Sequence, residues 1–145
     1  MDPENAIVKL CAAGMKAETG GANAEAERLF LKAWGAATTE YERCIAAHYV
    51  ARHQADPLES LRWNQVAIDN ALLVTDGSVD GFFGSLYLNL GYSYELFGNM
   101  VEARTNYNHA ASRMADIPAG RYKEIVIDGV TRGLQRLVGK PQGIQ

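Results

Sequence analysis

LYLNLGYSYELFGNMVEARTNYNHA, residues 86–110, is the stretch that decides the fold. Tyr87, Leu90, Gly91 and Tyr94 recur at spacings of three, one and three, the rhythm of one helical face. Gly98-Asn99 breaks that rhythm. The glycine can take a positive φ past the end of a first helix, and Asn99 can cap a second, with Glu102 three residues on completing a capping box. Ala103, Tyr107 and Ala110 then form the inward stripe of the second helix. The stretch reads as a helical hairpin.

Working outward, the same arrangement recurs upstream. Gly14, Ala17, Gly21, Ala26, Phe30 and Ala33 stand where Gly91, Tyr94, Gly98, Ala103, Tyr107 and Ala110 stand. A middle copy lies 34 residues after the first, from Gly14 to His48 and from Ala26 to Ser60. His48 to Gly91 is 43, so nine residues, 75–83, are inserted before the third copy. The apolar run Ala71–Val74 and the pair Phe82-Phe83 predict that this insertion lengthens two helices by about a turn each.

Local signals set the boundaries. Asp2-Pro3-Glu4 predicts a helix from Pro3 to Thr19, stopped by Gly20-Gly21, with Asn23 capping a partner that runs to Ala37. Thr39 with Glu42 starts a helix to Gln54, and Asp56-Pro57-x-Glu59 starts another to Thr75. After Pro118 a last helix spans about 119–138, its inward face built from Tyr122, Val126, Gly129, Val130, Gly133, Leu134 and Leu137. Its other face carries Arg121, Lys123, Arg132 and Arg136. Gly129 and Gly133 are one turn apart, the spacing that lets a neighbour's backbone come close. The expectation is an all-α chain of seven helices without a strand, a single domain over 1–145. It has repeats at about 7–40, 41–74 and 84–117, a capping helix, and a frayed tail from Gly139 to Gln145.

Composition narrows the function. A net charge of −3 argues against a nucleic-acid surface, which needs a basic excess. No apolar run reaches the ~18 residues of a membrane span, and the acidic N-terminus is unlike a signal peptide. Cys11 and Cys44 make neither a disulfide framework nor a metal site, so a reduced, cytoplasmic setting is expected. His48 and His53 are five apart, off the one-turn spacing for a shared zinc, and no strand leads into a glycine-rich turn. Neither a metal nor a cofactor is expected.

The hairpin of residues 86–110 fills the slots of the pattern W-x2-L-G-x2-Y…A-x3-F, with Tyr87 for the Trp and Tyr107 for the Phe, and so resembles a tetratricopeptide (TPR) repeat. The segment AAHYVARHQADPLESLRWNQVAIDNA, followed by GFFGSLYLNLGYSYELFG, is also similar to small stand-alone bacterial TPR proteins. The resemblance implies an α-solenoid of three helix pairs plus the capping helix, and a concave face lined by the first helix of each pair. Carried over to this chain, that face holds Val8, Cys11, Ala12, Met15 and Glu18; then Glu42, Ile45, Ala46, Tyr49, Arg52 and His53; then Ser85, Leu88, Asn89, Tyr92 and Glu95. Asn89 matches an asparagine of the family's peptide-carboxylate clamps. The clamp's lysine and second asparagine are missing, with Cys11, Ala12, Ile45 and Ala46 in their places. What remains suits a segment of mixed apolar and acidic character. Met15, Tyr49, Arg52, His53, Asn89, Tyr92 and Glu95 are the candidate contacts.

The middle repeat departs from the pattern. His48 replaces the small glycine, Ser60 the alanine and Asn64 the aromatic wedge. Each is buried if the repeats align, and an unpartnered buried polar group costs about 1–3 kcal/mol. The three should therefore bond one another or a ligand. A hydrolytic set of Ser60, His48 and Asp56 is disfavoured because Ser60 is mid-helix without oxyanion donors. The leading expectation is a non-catalytic module binding a peptide or protein segment, as a monomer or weak homodimer. The alternatives are a small-molecule receptor or enzyme built on His48, Ser60 and Asn64, and a homo-oligomeric scaffold.

Overall fold

The computed structural model describes residues 2–140, and among these it contains seven α-helices and no strand. They are α1 (Ala6–Thr19), α2 (Asn23–Ala36), α3 (Glu40–Ala51), α4 (Pro57–Leu73), α5 (Phe83–Phe97), α6 (Met100–Ala111) and α7 (Arg121–Leu137). The fold is all-α, with helices packed in consecutive pairs, α1 with α2, α3 with α4 and α5 with α6. Residues 141–145 of the expected tail lie outside the described residues.

The caps explain where the helices begin. Asn5, not Asp2, starts α1: its Oδ1 accepts from the Ile7 and Val8 N–H groups at 2.8 and 3.1 Å. Asp2 is engaged in the preceding turn, accepting from the Glu4 N–H at 2.9 Å, so α1 begins three residues later than expected. Asn23 is the first residue of α2 and not its cap; the cap position is Ala22, which contributes no side-chain bond. Thr39, Asp56 and Asn99 cap α3, α4 and α6 as expected. Gly98 takes φ +96° between α5 and α6, the left-handed turn anticipated there.

The inserted residues are only partly helical. α4 has 17 residues against 14 in α2, yet it ends at Leu73, before the insertion begins. α5 starts at Phe83, the repeat equivalent of Glu40 at the start of α3, so it takes up only the last inserted residue. The remainder forms a linker with a 3-10 turn at Asp80–Phe82. Asp76 and Ser78 close a local turn there, which competes with helix continuation.

The chain divides into two compact units, Met1–Ser78 and Val79–Gln145. In the first, α3 packs on both α1 and α2; in the second, α7 packs on both α5 and α6. The hairpin cores rest on one device. Gly14 is filled by the ring of Phe30, and Gly91 by that of Tyr107, each ring fully buried. Burying such a ring contributes about 1.5–3 kcal/mol.

The two units repeat a stacking geometry. In the first, Asn5 bonds Glu42 and Glu18 bonds His53, so α1 and α3 advance together and run parallel. In the second, Ser85 meets Tyr122, Leu88 meets Gly129 and Glu95 meets Arg136, so α5 and α7 also run parallel. Helix α7 thus stands to α5 and α6 as α3 stands to α1 and α2. Its buried face is Val126, Val130, Gly133 and Leu137. The two glycines of α7 make room for side chains and not for a backbone, correcting the expectation: a Cβ at Gly133 would sit 2.5 Å from Tyr107 Cζ, and one at Gly129 2.7 Å from Leu88 Cδ2.

On the side of α3 that the repeat turns toward α4 stand Cys44, Ala47, His48 and Ala51, all buried. Matching Tyr49 to Gly133 and Arg52 to Arg136 puts Asp128, Thr131, Arg132 and Gln135 at the corresponding positions of α7. All four are exposed, with Arg132 paired to Asp128 at 3.0 Å. That polar outer face is what a cap requires.

Candidate functional site

The residues expected to line a binding surface divide into those the fold buries and those it presents. Val8, Cys11, Ile45, Ala46 and Ser85 are buried. Tyr49 is only 5% exposed, its ring stacked on Phe30 with centroids 5.2 Å apart. It is a packing residue of the α2–α3 contact, and its side chain is closed to a partner. Asn89 is half-buried. Met15, 38% exposed, and Tyr92, 49% exposed, are presented to solvent.

Met15 and Tyr92 are repeat equivalents, and each stands beside the same ion pair. Glu18, one turn after Met15, accepts from Arg52 at 3.0 Å and bonds His53 Nε2 at 2.6 Å. Glu95, at the matching place after Tyr92, accepts from Arg136 Nε at 2.8 Å and from the Tyr107 hydroxyl at 2.6 Å. Both glutamates are largely buried and both arginines nearly half exposed. The guanidiniums lie over aromatic rings, Arg52 at 5.5 Å from Tyr49 and Arg136 at 5.6 Å from Tyr92. Each unit therefore shows an exposed apolar side chain one turn from a carboxylate that anchors an arginine of the parallel helix.

Electrostatics follow this geometry. Burial opposes ionisation of Glu95, but the bonds from Arg136 and Tyr107, with Lys140 nearby, outweigh it and hold its carboxyl below the ordinary range. Burial and the bonded Glu95 push the Tyr107 hydroxyl up. Arg136 is raised by the same bonds.

The middle-repeat trio is enclosed to different degrees. His48 and Asn64 are buried and Ser60 is half-buried, its Oγ donating to the Ala51 carbonyl at 3.4 Å. No buried side-chain nitrogen or oxygen among the described residues lacks a hydrogen-bond partner. Burial, with Arg52 adding repulsion, holds the His48 imidazole neutral, its pKa lowered to about 3. A base that weak, closed off from solvent, is poorly suited to activating a serine near neutral pH.

The cysteines are equally quiet. Cys11 and Cys44 are free and buried, and desolvation pushes both thiols up to about 12. Among the described residues no three His, Cys, Asp or Glu side chains are grouped to hold a metal ion. No helix there is long and apolar enough to cross a membrane.

Two features had no usable sequence signal. One is a cleft of about 560 Å³ where the starts of α1 and α3 meet the end of α4, bordered by Asp2, Glu40, Tyr41, Leu73 and Asp76. The other is the pairing of Arg136 with Glu95, 41 residues apart, whose register depends on a linker that no repeat rule specifies. No family model, no curated protein and no solved structure matches the chain.

Proposed function

We propose that the chain is a non-catalytic interaction module of tetratricopeptide type, holding a peptide or protein segment against its exposed first-helix surface. The observation that carries this reading is the duplicated element Met15–Glu18–Arg52 and Tyr92–Glu95–Arg136. An apolar side chain left in solvent beside a guanidinium fixed by a buried glutamate has little reason to recur for stability alone. Together the two groups suit an extended segment with an apolar residue next to an acidic one, because the arginine is already oriented and its rotamer entropy already lost. The reading carries with it a cytoplasmic setting, in which Cys11 and Cys44 stay reduced. Closure of His48 and the engagement of Ser60 favour it over a receptor or hydrolase built on the middle repeat.

Site-specific photo-crosslinking tests it. A benzophenone amino acid replacing Tyr92, and another replacing Met15, should each trap a defined partner segment in cells. The same probe at Gly35, which faces open space on α2, should trap none. Identical, diffuse products at all three positions would overturn the reading.

A further inference from the structure

The two repeated elements share an outline, yet their arginines are held differently. A guanidinium carries five N–H donors. Arg136 directs three contacts inward: Nε to Glu95 Oε2 at 2.8 Å, and Nη2 to Glu95 Oε1 at 3.1 Å and to the Tyr107 hydroxyl at 3.3 Å. That fork grips both carboxylate oxygens and the ring that fills Gly91 and Gly133, so Arg136 belongs to the clamp on Tyr107. Arg52 is held at one corner. Among the described residues its polar contact is Nη2 to Glu18 Oε1 at 3.0 Å, while His53 takes the other Glu18 oxygen at 2.6 Å. The Nε and Nη1 hydrogens of Arg52 have no partner there, on a side chain 45% exposed.

The surroundings differ in the same sense. Lys16, next to Met15, adds a second exposed cation to the first element, and its carboxylate, Glu18, is largely buried under two partners. In the second unit Tyr122 meets Ser85 and Leu88 fills the space at Gly129, so α7 turns the face of Tyr122, Ile125 and Gly129 toward α5. Tyr122 is 45% and Ile125 51% exposed on that face. Their equivalents in the first unit are Thr38 and Tyr41, whose hydroxyls are bonded to Glu42 and to the Asp2 N–H. Glu42 lies ten residues before Arg52 in sequence, about 15 Å along α3.

We infer that the two elements select different parts of the partner. In the first unit Arg52 receives an Asp or Glu carboxylate. In the second, Tyr92, Ile125 and Tyr122 receive apolar side chains, and Arg136 serves the fold. This rests on the proposed function and names what each half of that site reads. The carboxylate takes the donors left on Arg52, whose orientation Glu18 has already fixed.

Two measurements test it. In the isolated chain, phenylglyoxal should modify Arg52 several-fold faster than Arg136, read by mass spectrometry of the digest. Equal or reversed rates overturn the inference whatever the partner is. In cells, the segments trapped by benzophenone at Met15 and at Tyr92 are then sequenced. The Met15 product should carry Asp or Glu within about three residues of the crosslink. Its yield should fall about tenfold or more in Arg52→Gln, the loss of a charge-assisted bond, and less in Arg52→Lys. Glu18 keeps His53 in both variants, so each should melt close to the parent. The Tyr92 product should have apolar neighbours and lose about threefold or more in Ile125→Ser. Asp or Glu beside the Tyr92 crosslink, none beside the Met15 crosslink, or a Met15 yield indifferent to Arg52→Gln overturns the inference and leaves the proposed function standing. Diffuse products at Met15, Tyr92 and Gly35 alike remove the proposed function and this inference with it. The modification rates and the trapped sequences keep Arg52 in place, so the test holds even where a variant fails to fold.

Discussion

Gly133→Ala sets two opposing effects against each other. A glycine inside a helix costs about 0.8–1.0 kcal/mol relative to alanine, so on propensity alone the substitution stabilises α7. The added methyl would lie 2.5 Å from Cζ and 2.6 Å from Cε1 of Tyr107, about 1 Å inside ordinary contact. The ring has nowhere to go. It is fully buried, Gly91 abuts it as well with a Cβ position 2.8 Å from Cδ1, and its hydroxyl is held by Glu95 at 2.6 Å. Overpacking of this kind costs about 1–3 kcal/mol, so after the propensity gain the variant should be destabilised by up to about 2 kcal/mol. For a chain of this size that lowers Tm by up to about 8 °C, readable by calorimetry and by urea unfolding. Gly133→Ala in a Tyr107→Leu background should recover the propensity gain and be neutral or stabilising relative to that background. A Gly133→Ala protein more stable than the parent by about 1 kcal/mol would refute the clamp on Tyr107.

The other expectations follow from caps and ionisable groups. Asn5→Ala should destabilise the first unit by about 1 kcal/mol, and Asp2→Ala by much less; equal effects in chemical denaturation would return the start of α1 to Asp2. His48 binds a proton readily only when unfolded, so stability should fall as pH drops from 6.5 toward about 3, with a slope approaching 1.4 kcal/mol per pH unit. His48→Gln should flatten that segment of the stability–pH curve, and an unchanged slope would show that His48 is not the group responsible. Glu95 has the opposite chemistry but the same sign. Its lowered pKa gives stability that is present above about pH 4.5 and lost as pH falls through the folded value. Glu95→Gln should remove that acid-side loss, and urea titrations at pH 3 and pH 7 would show whether it does.

What was legible in the sequence was short-range and volumetric. Gly91 and Tyr107, sixteen residues apart on two helices joined by Gly98-Asn99, are complementary in size, and their recurrence as Gly14 and Phe30 makes the hairpin readable from sequence. Tyr49 was harder. The helical rhythm puts it on the same flank as Arg52, but whether that flank faces solvent or Phe30 depends on the rotation of α3, which a few tens of degrees decides. Asp2 and Asn5 are both good caps, and the choice between them rests on which backbone N–H groups the preceding turn has already used. The inserted residues misled for a related reason: Phe82-Phe83 reads as a helix extension, yet the local turn at Asp76 and Ser78 intervenes first. The glutamate–arginine pairs were illegible because long side chains reach across a stacking offset that repeat length alone does not give.

The outer face of α7 bears on how such an array could be lengthened by engineering. Asp128, Thr131, Arg132 and Gln135 are exposed where a following hairpin would need buried, small side chains. Appending another hairpin at the C-terminal side would therefore mean first giving those four positions the character of Cys44, Ala47, a small residue in place of His48, and Ala51. Without that repainting, an added pair of helices would dangle on its tether, because seating it would strip hydration from a paired arginine and aspartate with nothing offered in exchange.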